Sequence, residues 1–313
     1  MKVRPTALER ASSYSNKKIE LLRDTFSEAI KTNKFAIVTV GSFARREASE
    51  QSDLDFFIIV EDNYKLTTAE KKLITDSIRK LNIKMPSTDG AFNETEKTAD
   101  MLENIGGIDD PTYKLTRRML FLLEGEWLYN KKMFERLFDK MINRYVSKSI
   151  TQHQLCRFLL NDMIRYYRTI CVDFEFKTVE INKSWGDRNI KLLFSRKLLY
   201  FSGLLVIAET TQHFYSHKRE ILTKYLRLSP VERVNLICGI KCEKVINMYN
   251  EFLDNLSTPK IRKLLNETPI NRDLQSPEFR KLKNNGHHFS WELSKLLAET
   301  YDSSHPIHLA IKF

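Results

Sequence analysis

Glycine and proline are scarce in this chain, 9 and 8 among 313 residues. Left-handed turns and Pro-rich spacers depend on those two residues. Their scarcity argues against an all-β architecture with many turns and against long flexible linkers. No apolar run approaches 18 residues, so no segment is expected to span a membrane. The stretch from Met1 to Ser15 lacks the apolar centre of a secretory signal. There are four cysteines: Cys156, Cys171, Cys238 and Cys242. Cys238 and Cys242 are four positions apart, but no His or Cys lies near them at zinc-ligand spacing. All four read as reduced thiols, and the protein is expected in the cytoplasm.

What the chain has in excess is positive charge. Lys and Arg number 51 against 40 Asp and Glu, a formal net charge of +11. Such a surplus favours anionic partners, nucleoside triphosphates or nucleic acid. The bland alternative is a Lys-rich solvated surface. At roughly 100–200 residues per domain, the length suggests two domains.

The periodicity divides the chain accordingly. Asn16 to Thr32 places Ile19, Leu22, Phe26 and Ile30 on one helical face. Lys34 to Val40 and Leu54 to Val60 are apolar, β-branched runs that read as buried strands. Phe43 to Ala48 reads as a short helix between them, and Thr67 caps a helix reaching Leu81. Ile83 to Phe92 holds Pro and Gly and reads as irregular or as a broken strand. After Asp110 the spacing is helical: Tyr113 to Leu123, Asn130 to Val146, Gln152 to Cys171, Lys191 to Thr211, Pro230 to Leu253 and Phe289 to Tyr301. The expectation is an α/β domain over 1–145 and a helical domain over 146–313.

The chemistry concentrates in Gly41 to Ile59, GSFARREASEQSDLDFFII. Gly41 lets backbone approach a phosphate closely, and the helix after it points its first amides that way. Ser42 adds a hydroxyl donor. In Asp53-Leu54-Asp55 the strand period of two puts both carboxylates on one face and Leu54 on the other. Two carboxylates beside a phosphate pocket suit Mg²⁺ or Mn²⁺. A lone Asp-x-Asp is most often a pair of surface acids. Here the pair opens an apolar strand 11 positions after Ser42 (53 − 42), where unpartnered charge is costly.

Gly41-Ser42 followed by Asp53-x-Asp55 resembles the signature of the DNA polymerase beta nucleotidyltransferase superfamily. The wider wording, Gly41-Ser42-Phe43-Ala44-Arg45-Arg46-Glu47 before Ser52-Asp53-Leu54-Asp55, is most similar to the bacterial PII-uridylyltransferase-like nucleotidyltransferases. Leu115 to Leu128 looks like the helix after the catalytic sheet in that group. Lys183 to Leu204 looks like a helix in its C-terminal part. No His-Asp dipeptide occurs, so the phosphohydrolase module of the full uridylyltransferase is missing, and the same protein acceptor is not implied.

The resemblance implies an α/β (α+β) nucleotidyltransferase domain with a mixed sheet, then an all-helical domain that closes over the nucleotide or binds the acceptor. It implies a third carboxylate on a later strand; Asp89 is the first candidate, with Glu94 and Glu96 behind it. Asp53, Asp55 and Asp89 would be catalytic and metal-holding. Gly41, Ser42 and Arg45 would serve the nucleotide, with Lys183, Arg188 and Lys191 from the helical part. Arg188 and Lys191 are three apart and neighbours on a helix; the alternative is an exposed basic face. Arg157, Arg165 and Arg168 beside Tyr166 and Tyr167 suggest RNA contact or, more plainly, packing. His287-His288 lacks acids or Cys at metal spacing and reads as a surface or packing pair.

The expected activity is metal-dependent transfer of a nucleoside monophosphate, AMP or UMP, from a triphosphate to a protein or RNA acceptor. Two alternatives stand beside it: synthesis of a nucleotide signal or small-molecule nucleotidylation, and a non-catalytic nucleotide sensor or nucleic-acid binder.

Overall fold

Two apolar strands, β1 (Phe35–Thr39) and β2 (Phe56–Val60), are buried along their whole length. They are antiparallel, with Thr39 opposite Phe56 and Phe35 opposite Val60. The structure, a computed structural model, describes residues 4–86, 95–181 and 183–312. The chain divides into two compact units, Met1–Ser149 and Ile150–Phe313.

In the first unit the helices and strands follow in the order α1 (Ala7–Ala29), β1, α2 (Gly41–Ala44), β2, α3 (Thr68–Lys80), β3 (Thr95–Lys97), α4 (Thr98–Leu102), α5 (Thr112–Glu124), β4 (Glu126–Tyr129) and α6 (Lys131–Tyr145). The sheet order is β3-β2-β1-β4. β4 is antiparallel to β1, and β3 is parallel to β2. The sheet is therefore mixed. Helix α1 begins nine residues before the expected Asn16. Thr6 and Glu9 form a capping box that satisfies its first amides. Thr67 and Glu70 cap α3 in the same way.

One face of the sheet carries a hydrophobic core. Phe35 and Ile37 of β1 and Leu54, Phe56, Ile58 and Val60 around β2 pack with Ile19, Leu22 and Phe26 of α1 and Ile74 and Ile78 of α3. Each such buried side chain contributes about 1.5–3 kcal/mol. The strand period of two sends Asp53, Asp55, Phe57 and Ile59 to the opposite face. There the Arg117 guanidinium of α5 lies over the Phe57 ring, 5.2 Å from its centroid.

The second unit is helical: α7 (Arg157–Val179), α8 (Trp185–Lys191), α9 (Lys197–Ala208), α10 (Tyr215–Leu226), α11 (Pro230–Cys238), α12 (Glu243–Ser257), α13 (Pro259–Glu267), α14 (Pro277–Thr300) and α15 (Ile307–Ala310). A five-residue π turn, Leu192–Arg196, joins α8 to α9. The helix expected over Pro230 to Leu253 breaks at Gly239, whose φ of 54° ends α11. Two cations of the surplus are structural. Lys218, fully buried, donates to the carbonyls of Gln152, Gln154 and Thr210 at 2.5–3.0 Å. Arg233 donates to the carbonyls of Tyr225 and Leu226, which end α10. Three elements go beyond the expectation: α10, whose apolar pattern is weak, α13, which is amphipathic but only nine residues long, and β4, which is only four residues long.

Candidate active site

Strand register builds the site. β1 and β2 meet at Thr39 and Phe56, so the residues just beyond, Val40 and Asp55, face each other. The Val40 amide donates to the Asp55 carbonyl at 3.0 Å, and Thr39 Oγ1 donates to the same oxygen at 2.9 Å. Leu54 is fully buried, while Asp53 and Asp55 are half-buried, the alternation that two carboxylates on one face require. Leu54 is held from its other side by the Lys84 carbonyl at 2.8 Å, where Lys84 forms a parallel bridge with Asp53.

Gly41 is the hinge of the site. Its φ is +71°, a conformation that side-chain-bearing residues rarely adopt. A Cβ at this position would stand 2.6 Å from Asp55 Oδ2, so the Asp55 carboxylate lies directly against the Gly41 backbone. The expected helix over Phe43 to Ala48 is a single turn, Gly41–Ala44. Its first amides have no partner inside the turn. Among them the Gly41 amide is taken, donating to Glu124 Oε1 at 3.0 Å.

Arg45 and Arg46 are both engaged inside the protein. Arg45, buried, donates from Nη1 to Glu124 Oε2 at 2.6 Å and from Nε to Glu47 Oε2 at 2.8 Å. Arg46 pairs with Glu126 Oε2 at 2.6 Å; Arg23 takes Oε1 of the same carboxylate at 2.6 Å and stacks over Trp127. Arg46 holds a φ of 65°, and its Nη1 donates to the Ala44 carbonyl at 3.0 Å. Glu124 and Glu126 have no assigned role in the sequence reading. The sequence signal was there, in two acids around Gly125 at the end of the apolar run LLEGEWL.

Asp89 and Glu94 lie outside the described residues. Glu96 sits on β3 opposite Ile59, four residues along β2 from Asp55, about 13 Å at 3.3 Å per residue. It is buried and bonded to Arg117 Nε at 2.9 Å. Among the described residues no group of three or more His, Cys, Asp or Glu is arranged to hold a metal ion. Asp53 and Asp55 are hard oxygen donors on one face beside a glycine cradle, a donor set that fits Mg²⁺ or Mn²⁺.

The other candidates belong to the second unit. Lys183 precedes α8, and Arg188 and Lys191 lie on it; Lys191 pairs with Asp187 at 2.8 Å. On α7, Arg165 pairs with Asp162 at 2.6 Å, Tyr166 is buried, and Tyr167 stacks on Tyr200 with centroids 4.5 Å apart. These two tyrosines pack. His288 bonds Glu292, which also receives Lys244. The four cysteines are free thiols, and among the described residues no helix is long and apolar enough to cross a membrane.

The family model described as a nucleotidyltransferase domain matches residues 19–105. No curated protein matches the chain. The matched span runs from the middle of α1 past α4 and includes Gly41, Asp53 and Asp55. A nucleotidyltransferase domain with a mixed four-stranded sheet is thus followed by a helical part, and the domain implies a nucleotide substrate.

Proposed function

We propose that the protein is a metal-dependent nucleotidyltransferase that moves a nucleoside monophosphate from a triphosphate to a protein or RNA acceptor and releases pyrophosphate. One observation carries the reading. Within the span that matches the nucleotidyltransferase domain, Asp55 lies against a left-handed glycine, and Asp53 and Asp55 are half-buried on either side of the buried Leu54.

Asp53 and Asp55 would hold two Mg²⁺ or Mn²⁺ ions, which supply charge neutralisation for the triphosphate and lower the pKa of the acceptor hydroxyl. The acceptor oxygen attacks the α-phosphorus, the bond from that phosphorus to the bridging oxygen of the β-phosphate breaks, and pyrophosphate leaves. The hydroxyl proton passes to a carboxylate base, a role proposed for Asp89. The amides of Ser42 and Phe43 and the Ser42 hydroxyl face the phosphates. Arg45, committed to Glu47 and Glu124, serves by holding the turn rather than by direct contact. Lys183, Arg188 and Lys191 are proposed to contribute positive charge to nucleotide binding. A cytoplasmic location is inferred from the four cysteines read as reduced thiols, and the finer likeness to PII-uridylyltransferase-like enzymes from the wording of Gly41 to Asp55.

The test is to incubate the pure protein with each labelled nucleoside triphosphate, Mg²⁺ or Mn²⁺, and a cell extract as acceptor source. Label transfer and pyrophosphate release that vanish in Asp53→Ala support the enzyme. Tight triphosphate binding without turnover supports a sensor instead. Product sensitivity to protease or to RNase identifies the acceptor.

A further inference from the structure

The ladder between β1 and β4 ends at Thr39 opposite Glu126. Two residues onward on one strand and two back on the other are Gly41 and Glu124. The Glu124 side chain is fully buried, and its two oxygens are used at the two ends of α2. Oε1 accepts the Gly41 amide at 3.0 Å, and Oε2 accepts Arg45 Nη1 at 2.6 Å. Gly41 is therefore gripped from both sides, by Glu124 through its amide and by the Asp55 carboxylate against its α-carbon. Glu124 can hold this place because Gly125 turns α5 sharply into β4. A Cβ on Gly125 would stand 2.4 Å from the Phe121 carbonyl oxygen.

We infer that Glu124 is a positioning residue for the metal-holding acids, acting through Gly41 and Arg45; the inference rests on the reading of Asp53 and Asp55 as that pair. A carboxylate is needed because it must accept from a neutral amide and a guanidinium at once, in a site closed to water. Without it the Gly41 turn loses its outer anchor and the Asp55 carboxylate loses the surface that fixes it. Supporting groups of this kind change metal affinity or activity about 10–100-fold when replaced.

The experiment titrates Mn²⁺ alone into the full-length protein and follows free Mn²⁺ by electron paramagnetic resonance, at a temperature where circular dichroism shows each variant folded. Glu124→Gln keeps the shape and loses the charge; its Mn²⁺ affinity should fall at least about tenfold. Asp110→Asn breaks another fully buried pair of the same unit, Asp110 with Arg118, and should bind Mn²⁺ as the wild type does. If Glu124→Gln does not fold, Glu124→Asp, which keeps the charge and shortens the reach, carries the same test. Wild-type affinity in the Glu124 variant, with affinity lost in Asp55→Asn, overturns the positioning role and leaves the functional reading standing. Unchanged affinity in Asp55→Asn overturns both. An equal loss in Asp110→Asn assigns the effect to general packing and overturns the positioning role.

Discussion

The Asp55 carboxylate rests on Gly41 so closely that a methyl group on the glycine would stand 2.6 Å from Asp55 Oδ2. The glycine that opens α2 and the acid just before β2 are therefore one structural unit. Gly41→Ala meets two penalties, the contact with Asp55 and a left-handed φ that costs roughly 1–2 kcal/mol for a residue with a Cβ. The variant should melt at lower temperature and lose nucleotidyl transfer. A thermal melt with the transfer assay checks both, and a fully active Gly41→Ala would contradict the geometry.

Asp53→Asn and Asp55→Asn should behave differently from Gly41→Ala. Both acids are half-buried, and asparagine keeps the shape of either while removing its charge. The folded state should persist, while turnover falls roughly a thousandfold, about 4 kcal/mol of transition-state stabilisation. Scanning calorimetry beside single-turnover kinetics separates the two. Loss of stability in step with loss of turnover would point to a structural role.

Arg188→Glu tests the basic helix α8. If its guanidinium assists the triphosphate, charge reversal should weaken nucleotide binding about tenfold, the worth of one charge-assisted hydrogen bond. Isothermal titration with a nonhydrolysable triphosphate measures it, and unchanged affinity removes Arg188 from the site.

Stability at alkaline pH should carry the signature of Cys238. Burial pushes its thiol up to about 11, while Thr300 Oγ1, 3.6 Å away, and Lys241 act to lower it. The folded state thus holds the proton more tightly than the unfolded state. This contribution is complete below the ordinary thiol pKa of 9.0 and is lost as pH rises to about 11. Its full size is about 2–3 kcal/mol at 1.36 kcal/mol per unit. Urea midpoints at pH 8 and pH 10.5 should differ less in Cys238→Ala than in the wild type. An equal difference in both would place the pH dependence elsewhere.

Several features were legible because their causes lie within a few residues. The apolar runs around residues 35–39 and 56–60 announce buried strands. Thr67 with Glu70 marks a helix start. Period two divides Leu54 from Asp53 and Asp55. Less legible were α2, shortened to one turn by the left-handed Arg46, and α1, whose first half is too polar for an apolar stripe and stands on its capping box. The carboxylate expected on a later strand was assigned by analogy of order alone. Asp89 lies outside the described residues, and Glu96 is taken by Arg117.

The residue pattern alone determined that acids and a glycine–serine turn would share one end of a sheet, because strand alternation and turn chemistry are local. Only the tertiary structure decided what holds that end in place. Arg45 and Glu124 are 79 positions apart, and Arg46 and Glu126 are 80 apart. Two adjacent arginines look alike in the chain. The burial of Arg45 and the separate partners of the two arise only when the fold brings the end of α5 and β4 to the Gly41 turn, since a charge can be buried only where the fold delivers its counter-charge.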